Sequence, residues 1–299
     1  MHGERVVGDN ERNPRESYAM KRWFISLYLF ALAALVVAAL YGFTLEVPLT
    51  AAAGLLLAAA APLTFLFWLA LAQPARTEAH PVIVSVLSGL GAVLAMMAVY
   101  RFGDAHQPFL IGSVLALAGW LAYVRWYSRQ PAPRGAPVPG EPLPKLELED
   151  VEGRRVTNQA LAGRPAVLVL YRGNWCPLCT AQIRELAAAW RKVARLGAKL
   201  WFISSQPAKF TREIARQFSI PADFLLDPGN RAARQLGIES PGATPGGLEL
   251  VGYPTDAAVP TVIVVDDSGI VRFIEIAENY RMRPDPDTYL RHLTPGSAD

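Results

Sequence analysis

The 299-residue sequence predicts two halves suited to different solvents: an all-α region of four transmembrane spans, then an α/β domain with a central mixed sheet. Three observations carry this. Uncharged apolar stretches crowd the first 127 residues, a proline-rich segment follows them, and strand-like and helix-like runs then alternate to the C-terminal end. The length also suits about two units. The predicted boundaries are a tail over 1–22, spans over 23–127, a linker over 128–143 and the α/β domain over 144–299.

The predicted spans are 23–43, 47–72, 81–100 and 108–124, each free of charged residues. A bilayer crossing takes roughly 17–25 residues. The fourth is the shortest, and Arg125 could extend it by snorkelling. Pro62 predicts a kink in the second span. Trp23, Tyr100, Trp120, Trp126 and Tyr127 lie near span ends, where amphipathic aromatics favour the membrane interface. Small residues such as Gly89, Gly91 and Ala95 would allow close packing, including between copies.

Twenty-two mostly polar residues before the first apolar run, and three spans after it, do not read as a cleaved signal peptide. Lys and Arg counts set the orientation. The tail, the second loop and the segment after the fourth span together carry nine, the third loop has only Arg101, and the first has none. Both termini and the α/β domain are therefore expected to be cytoplasmic. The chain is read as multi-pass, with the lipid bilayer as a partner. A net charge of +3 is too slight and dispersed to suggest nucleic acid.

The stretch 128–144 alternates Pro and Gly with polar residues, which suits a semi-rigid polyproline spacer. Beyond it, 145–149 and 155–157 flank Glu152-Gly153 as a small hairpin. The run 166–171 is continuously apolar, as a strand buried on both faces should be. A helix over 177–196 follows, closed by Gly197. Lys199–Ser204 reads as a parallel strand, 210–218 as a helix, Asp223–Leu226 as extended, and 231–236 as a helix ended by Gly237. The segments 261–266 and 270–275 flank Asp267-Ser268-Gly269 as a hairpin, and 287–293 is the last helix.

Cys176 and Cys179, the only two cysteines, follow the apolar run at a turn before a helix. A thiol at a helix N-terminus meets the positive end of the helix dipole, which favours thiolate. Its partner lies one helical turn on, close enough to form a disulfide. A structural disulfide this small removes little unfolded-state entropy. Structural zinc would need four ligands, and the four His (His2, His80, His106, His292) are distant in sequence. Two inert buried thiols are the remaining alternative to a redox pair. No metal and no cofactor are expected.

Residues from about Pro144 to Leu293 resemble the thioredoxin fold and, more narrowly, the alkyl hydroperoxide reductase and thiol-specific antioxidant (AhpC/TSA) family, the peroxiredoxin-like proteins. Four segments carry the resemblance: Tyr171-Arg-Gly-Asn-Trp-Cys-Pro-Leu-Cys179, Ile203-Ser-Ser-Gln206, Leu226-Asp-Pro228 and Val259-Pro-Thr-Val-Ile-Val-Val-Asp-Asp-Ser-Gly269. It implies a cis Pro260 beside the cysteines, with Thr261 opening the strand. A proline merely tolerated at a strand start is the alternative.

The resemblance also implies the roles. Cys176, more exposed, would attack, and Cys179, more buried, would resolve the intermediate to a Cys176–Cys179 disulfide. Arg172 would lower the Cys176 pKa or sit solvated at the surface. Trp175 would shield the thiol or simply pack. The sequence departs from the family's patterns at three points. Gly173 stands where peroxiredoxins place Thr or Ser, Pro260-Thr261 where they place an Arg, and Leu170 where thioredoxins bury an Asp. Glu185 is a candidate replacement for that acid.

The reading is a membrane-anchored thiol–disulfide oxidoreductase with antioxidant activity, acting on peroxide or disulfide substrates. Its reductant would be thioredoxin-like or glutathione-like. The other reading is a redox-responsive membrane interaction protein that switches without turning over.

Overall fold

A computed structural model describes residues 14–45 and 47–293. Four long helices come first: α1 (Pro14–Gly42), α2 (Leu49–Ala72), α3 (Val82–Phe102) and α4 (Gln107–Ala122), the last continuing as a π-helical turn over Tyr123–Tyr127. Four stretches are long and apolar enough to cross a membrane: Met20–Gly42, Leu49–Ala72, Val82–Phe102 and Asp104–Tyr127, the last taking in the short turns on either side of α4. The fourth is longer than the sequence suggested, because the chain stays helical through Arg125, which is exposed. Helix α1 likewise begins at Pro14, inside the expected tail; 1–13 lie outside the described residues.

Pro62 sits within an unbroken α2. Proline has no N–H for the carbonyl four residues back, and that carbonyl, Ala58 O, instead accepts from Ser88 Oγ of α3 at 2.9 Å. Helices α2 and α3 touch backbone to backbone here. A Cβ on Gly91 would stand 2.4 Å from Ala58 N, and one on Gly54 2.6 Å from Ala95 N. Gly91 and Ala95 are thus used inside the bundle rather than between copies, whereas nothing lies near Gly89.

The α/β half has a seven-stranded sheet in the order β2-β1-β5-β4-β3-β8-β9. Its strands are β1 (Glu147–Glu149), β2 (Arg155–Thr157), β3 (Ala166–Leu170), β4 (Lys199–Ser204), β5 (Asp223–Leu226), β8 (Thr261–Val265) and β9 (Val271–Ile276). β3, β4 and β5 run parallel, while β8, β9, β1 and β2 join antiparallel. The sheet is mixed, as expected. The short pair β6 (Glu239–Ser240) and β7 (Ala257–Ala258) was not foreseen.

Alternate residues of β3 point to opposite faces. Val167 and Val169 enter one core with Phe202 of β4; Leu168 and Leu170 enter the other with Trp201 and Ile203. The continuous apolar run is therefore a strand buried on both sides. The first core takes in α5 (Pro177–Ala188), α6 (Trp190–Arg195), α7 (Ala208–Phe218) and α9 (Pro286–Leu290), and it runs on without a gap into the bundle through Tyr123 and Tyr127. The second core is covered by α8 (Arg231–Gln235). The predicted helix over 177–196 is two helices, broken at Ala189, so that Trp190 and Val193 meet the core.

The proline-rich segment is pinned to the domain rather than free of it. Gln130 N donates to Glu278 O, Arg134 N to Gly237 O, Gly140 N to Val271 O and Leu143 N to Gly269 O, all within 3.0 Å. Arg281, fully buried, ties the domain to the α2–α3 loop. It donates to Glu78 O (2.7 Å), Ala79 O (2.8 Å), Thr77 Oγ1 (3.2 Å) and Ser128 Oγ (3.1 Å).

Candidate active site

The central strand β3 delivers the cysteines just beyond its C-terminal end, on the side of the bundle. The loop after it is held from both sides: Gln206 Oε1 accepts from Asn174 N at 2.8 Å, and Gln206 Nε2 donates to Tyr171 OH and Thr211 Oγ1 at 3.1 Å. Tyr253 OH donates to Asn174 Oδ1 at 2.5 Å. Pro177 opens α5, where its missing N–H is no loss. Cys176 is the N-cap, and its carbonyl accepts from Cys179 N at 3.0 Å and Thr180 N at 3.2 Å. Both thiols stand at the helix N-terminus, as the sequence suggested.

Exposure differs from the expectation. Cys176 is 1% exposed and Cys179 0%, so neither is open to bulk water. The asymmetry lies in their neighbours. Asn174, Trp175 and Pro177 beside Cys176 are half-buried, whereas Leu178 and Thr180 beside Cys179 are buried.

Two buried guanidinium groups converge on the pair. Arg283 Nη2 donates to Cys179 Sγ at 3.7 Å, while its Nε and Nη1 have no hydrogen-bond partner among the described residues. The charge of Glu275 on β9 faces Arg283. Arg172 is clamped between the rings of Trp175 (4.7 Å) and Tyr280 (4.9 Å) and donates to Ala243 O. It also faces Tyr127 at the end of the fourth long helix, and Tyr280 OH shares a 2.8 Å hydrogen bond with Tyr123 OH.

These charges place the thiolate where the sequence did not. Burial raises the Cys179 thiol, but the hydrogen bond from Cys176 and the charges of Arg283 and Arg172 outweigh it, and Cys179 falls to about 6. Cys176 goes well up, through its hydrogen bond to Cys179 and its own burial, despite the pull of Arg172 and Arg283. The two titrate as one unit. Within that unit the shift runs down at Cys179 and up at Cys176, because the two share a hydrogen bond and Arg283 donates to Cys179.

The predicted site residues are mostly assembled. Cys176, Cys179, Arg172 and Trp175 form one cluster; Arg172 is buried, not solvated. Pro260 immediately precedes the neighbouring strand β8, and Thr261 opens it, paired with Leu170. The Val259–Pro260 peptide is trans, since the described residues contain no cis peptide bond. A proline at a strand's first turn needs no cis form, because its missing N–H falls where the ladder has not begun. Thr261 Oγ1 donates to Val259 O at 2.9 Å, which leaves it turned to its own backbone. Glu185 does not serve as the acid near the thiols. It pairs with Arg76 of the α2–α3 loop at 2.5 Å.

Gly173 has a steric reason. With φ of +155°, a Cβ there would lie 2.6 Å from Trp175 Nε1, so neither Thr nor Ser fits. Sequence reasoning missed Arg283, Tyr127 and Tyr280. Arg283 lies 104 residues after Cys179, in an irregular stretch between the last strand and last helix, where no periodicity marks it. Among the described residues no three His, Cys, Asp or Glu side chains are grouped to hold a metal.

Residues 139–274 match the model of the AhpC/TSA family. The chain is 27% identical over 137 residues to the chloroplastic peroxiredoxin Q of Oryza sativa subsp. japonica, across 45% of this chain and 57% of that protein. It is 26% identical over 148 residues to a peroxiredoxin of Hyperthermus butylicus, across 48% of this chain and 59% of the relative. The chain thus spans a little over half the length of these relatives. Among solved structures, the peroxidoxin BcpB of Mycobacterium tuberculosis superposes with a TM-score of 0.44 at 20% identity, over 52% of this chain and 95% of that one. The α/β half is a peroxiredoxin-like domain of thioredoxin fold, joined to four apolar helices that are candidate spans.

Proposed function

We propose that this chain is a membrane-anchored, thiol-dependent oxidoreductase that reduces peroxides, or disulfides, through Cys176 and Cys179. One observation carries the reading: two thiols share a helix N-terminus with two buried guanidinium groups, Arg283 lying 3.7 Å from Cys179 Sγ, within a peroxiredoxin-like domain.

Charge and access are divided between the sulfurs, which suggests a division of labour. Substrate reaches Cys176 from the half-buried side. Cys176 Sγ attacks the outer peroxide oxygen, forming an S–O bond as the O–O bond breaks. Its proton passes to the Cys179 thiolate, which acts as general base, and the alkoxide leaves as alcohol after protonation from solvent. The Cys179 thiol then attacks the Cys176 sulfenic acid, and the disulfide forms with loss of water. One thiol, one thiolate, one solvent proton and one hydroperoxide thus give one disulfide, one alcohol and one water. A disulfide substrate would be met by exchange through a mixed disulfide. A thioredoxin-like or glutathione-like thiol restores the pair. The unpartnered N–H groups of Arg283 are suited to the charge that develops on the peroxide oxygens.

The four helices would place this domain on the cytoplasmic side. Arg22, Arg76 and Arg129 all lie at the bundle end that carries the domain, which suits the positive-inside rule.

The test is stopped-flow oxidation of the reduced full-length chain by hydrogen peroxide in detergent micelles, beside Cys176→Ser and Cys179→Ser. Fast oxidation that needs Cys176 and slows in Cys179→Ser is expected. A rate equal to that of free cysteine would exclude the peroxidase. The contact of Arg172 with Tyr127 favours a second reading, in which loss of the thiolate charge alters docking on the bundle. That reading predicts one oxidation per chain with no turnover on addition of reductant.

A further inference from the structure

Among the described residues of the α/β half, three large apolar side chains are exposed: Leu250 (89%), Val251 (52%) and Met282 (47%). All three stand beside contacts with the ends of the membrane helices. Gly246 N donates to Arg22 O at 2.7 Å, Ser26 Oγ donates to Gly246 O at 3.3 Å, and Arg22 pairs with Glu249. Ser26 lies a full turn inside the first candidate span. The loop that bears Leu250 and Val251 therefore reaches the depth of that turn. A Cβ on Gly246 would meet the Trp23 ring at 2.5 Å, so the loop lies flat on an interfacial aromatic. On the other flank, Met282 follows Arg281, which holds the α2–α3 loop.

The loop is built to project. Leu248–Val251 is a single 3-10 turn between Gly247 and Gly252, with φ of +100° and +101°. It is braced from behind, where Lys209 Nζ donates to Val251 O at 3.0 Å and Phe210 stacks on Tyr253 with ring centroids 4.2 Å apart. Its one acidic side chain, Glu249, is neutralised by Arg22. A rigid, neutral turn with two bare aliphatic side chains at span depth matches a lipid surface.

We infer that the segment Gly247–Gly252 is a membrane wedge, with Leu250 and Val251 seated at the headgroup–acyl boundary of a phospholipid bilayer. The inference rests on reading the four helices as bilayer spans. The same segment continues back to Ala243, whose carbonyl accepts from Arg172, so the wedge and one wall of the dithiol site are a single stretch of chain.

Nitroxide labels test this on the full chain in phosphatidylcholine–phosphatidylglycerol vesicles, in a Cys176→Ser/Cys179→Ser background. Labels go singly at Leu250→Cys, Val37→Cys and Val138→Cys. Val37 is exposed within the first candidate span; Val138 is exposed beside Gly140, which pairs with the start of β9, roughly 20 Å along that strand from its bundle end. Expected is a several-fold higher ratio of oxygen to nickel-chelate collision at Leu250 than at Val138, approaching Val37. Equal ratios at Leu250 and Val138, with Val37 in lipid, would overturn the wedge alone. A water-accessible Val37 would overturn the spans and the wedge with them.

Discussion

Replacing Arg283 by Met keeps the apolar stem and removes the cation that donates to Cys179 Sγ at 3.7 Å. Two unit charges about 4 Å apart at an effective dielectric of about 20 interact by about 4 kcal/mol. That corresponds to about three pKa units, at about 1.4 kcal/mol each. Arg172 remains, so a rise of about two to three units is expected. The first ionisation of the pair should move from about 6 towards the ordinary thiol range. The assay is the pH dependence of iodoacetamide alkylation of the reduced full-length chain, with thiolate absorbance near 240 nm as a second readout. Stability should follow with a definite sign. A thiol whose folded value lies below its unfolded value of 9.0 stabilises the reduced fold fully above that value, and the gain is lost as pH falls through about 6. The wild type should therefore lose stability on acidification from pH 9 to 6, and Arg283→Met should not. Arg283→Lys should restore part of the shift. An alkylation midpoint still near pH 6 in a folded Arg283→Met would refute the argument that Arg283 holds the charge.

Three further outcomes follow from the packing. Tyr127→Phe removes the hydroxyl facing the buried Arg172, and should cost about 1.5–3 kcal/mol in detergent unfolding while leaving the secondary structure intact. Gly91→Ala drives a methyl onto Ala58 N, so α2 and α3 must separate; a loss of about 1–3 kcal/mol by denaturant titration is expected, against almost none for Gly89→Ala. Arg281→Met leaves Glu78 O, Ala79 O and Ser128 Oγ without their donor, and trypsin should then cut at Arg129 and Arg134 much faster than in the wild type.

What could be read in advance was what periodicity and turn chemistry encode. The run 166–171 gave a doubly buried strand, Gly197 and Gly237 closed their helices in left-handed conformations, and Asp267-Ser268-Gly269 turned β8 into β9. The redox motif was legible for the same reason: strand, turn and helix N-terminus are local. The charge state was not. Motif logic gave the thiolate to Cys176, but the nearest cation comes from Arg283, which only the tertiary fold brings there. The proline-rich stretch misled in a related way. Its composition describes an isolated chain, whereas here its N–H groups pair with the exposed edges of β9 and α8's cap. Composition does not say which edge is left unpaired.

The contacts between the halves bear on why four long helices accompany the α/β domain. A single span gives one attachment, about which a domain can turn. Here three separate parts of the bundle grip it: α1 through Arg22 and Glu249, the α2–α3 loop through Arg281 and through Arg76 with Glu185, and the end of α4 through Tyr123 and Tyr127. Three attachments that are not in line fix the domain's orientation. They also close the site, because Tyr127 stands against Arg172, which in turn acts on both thiols. Both sulfurs are buried, and the segment around Ala243 that accepts from Arg172 is itself docked on α1 through Gly246. The bundle is therefore part of the site's wall, and substitutions at the ends of its helices should change thiol reactivity.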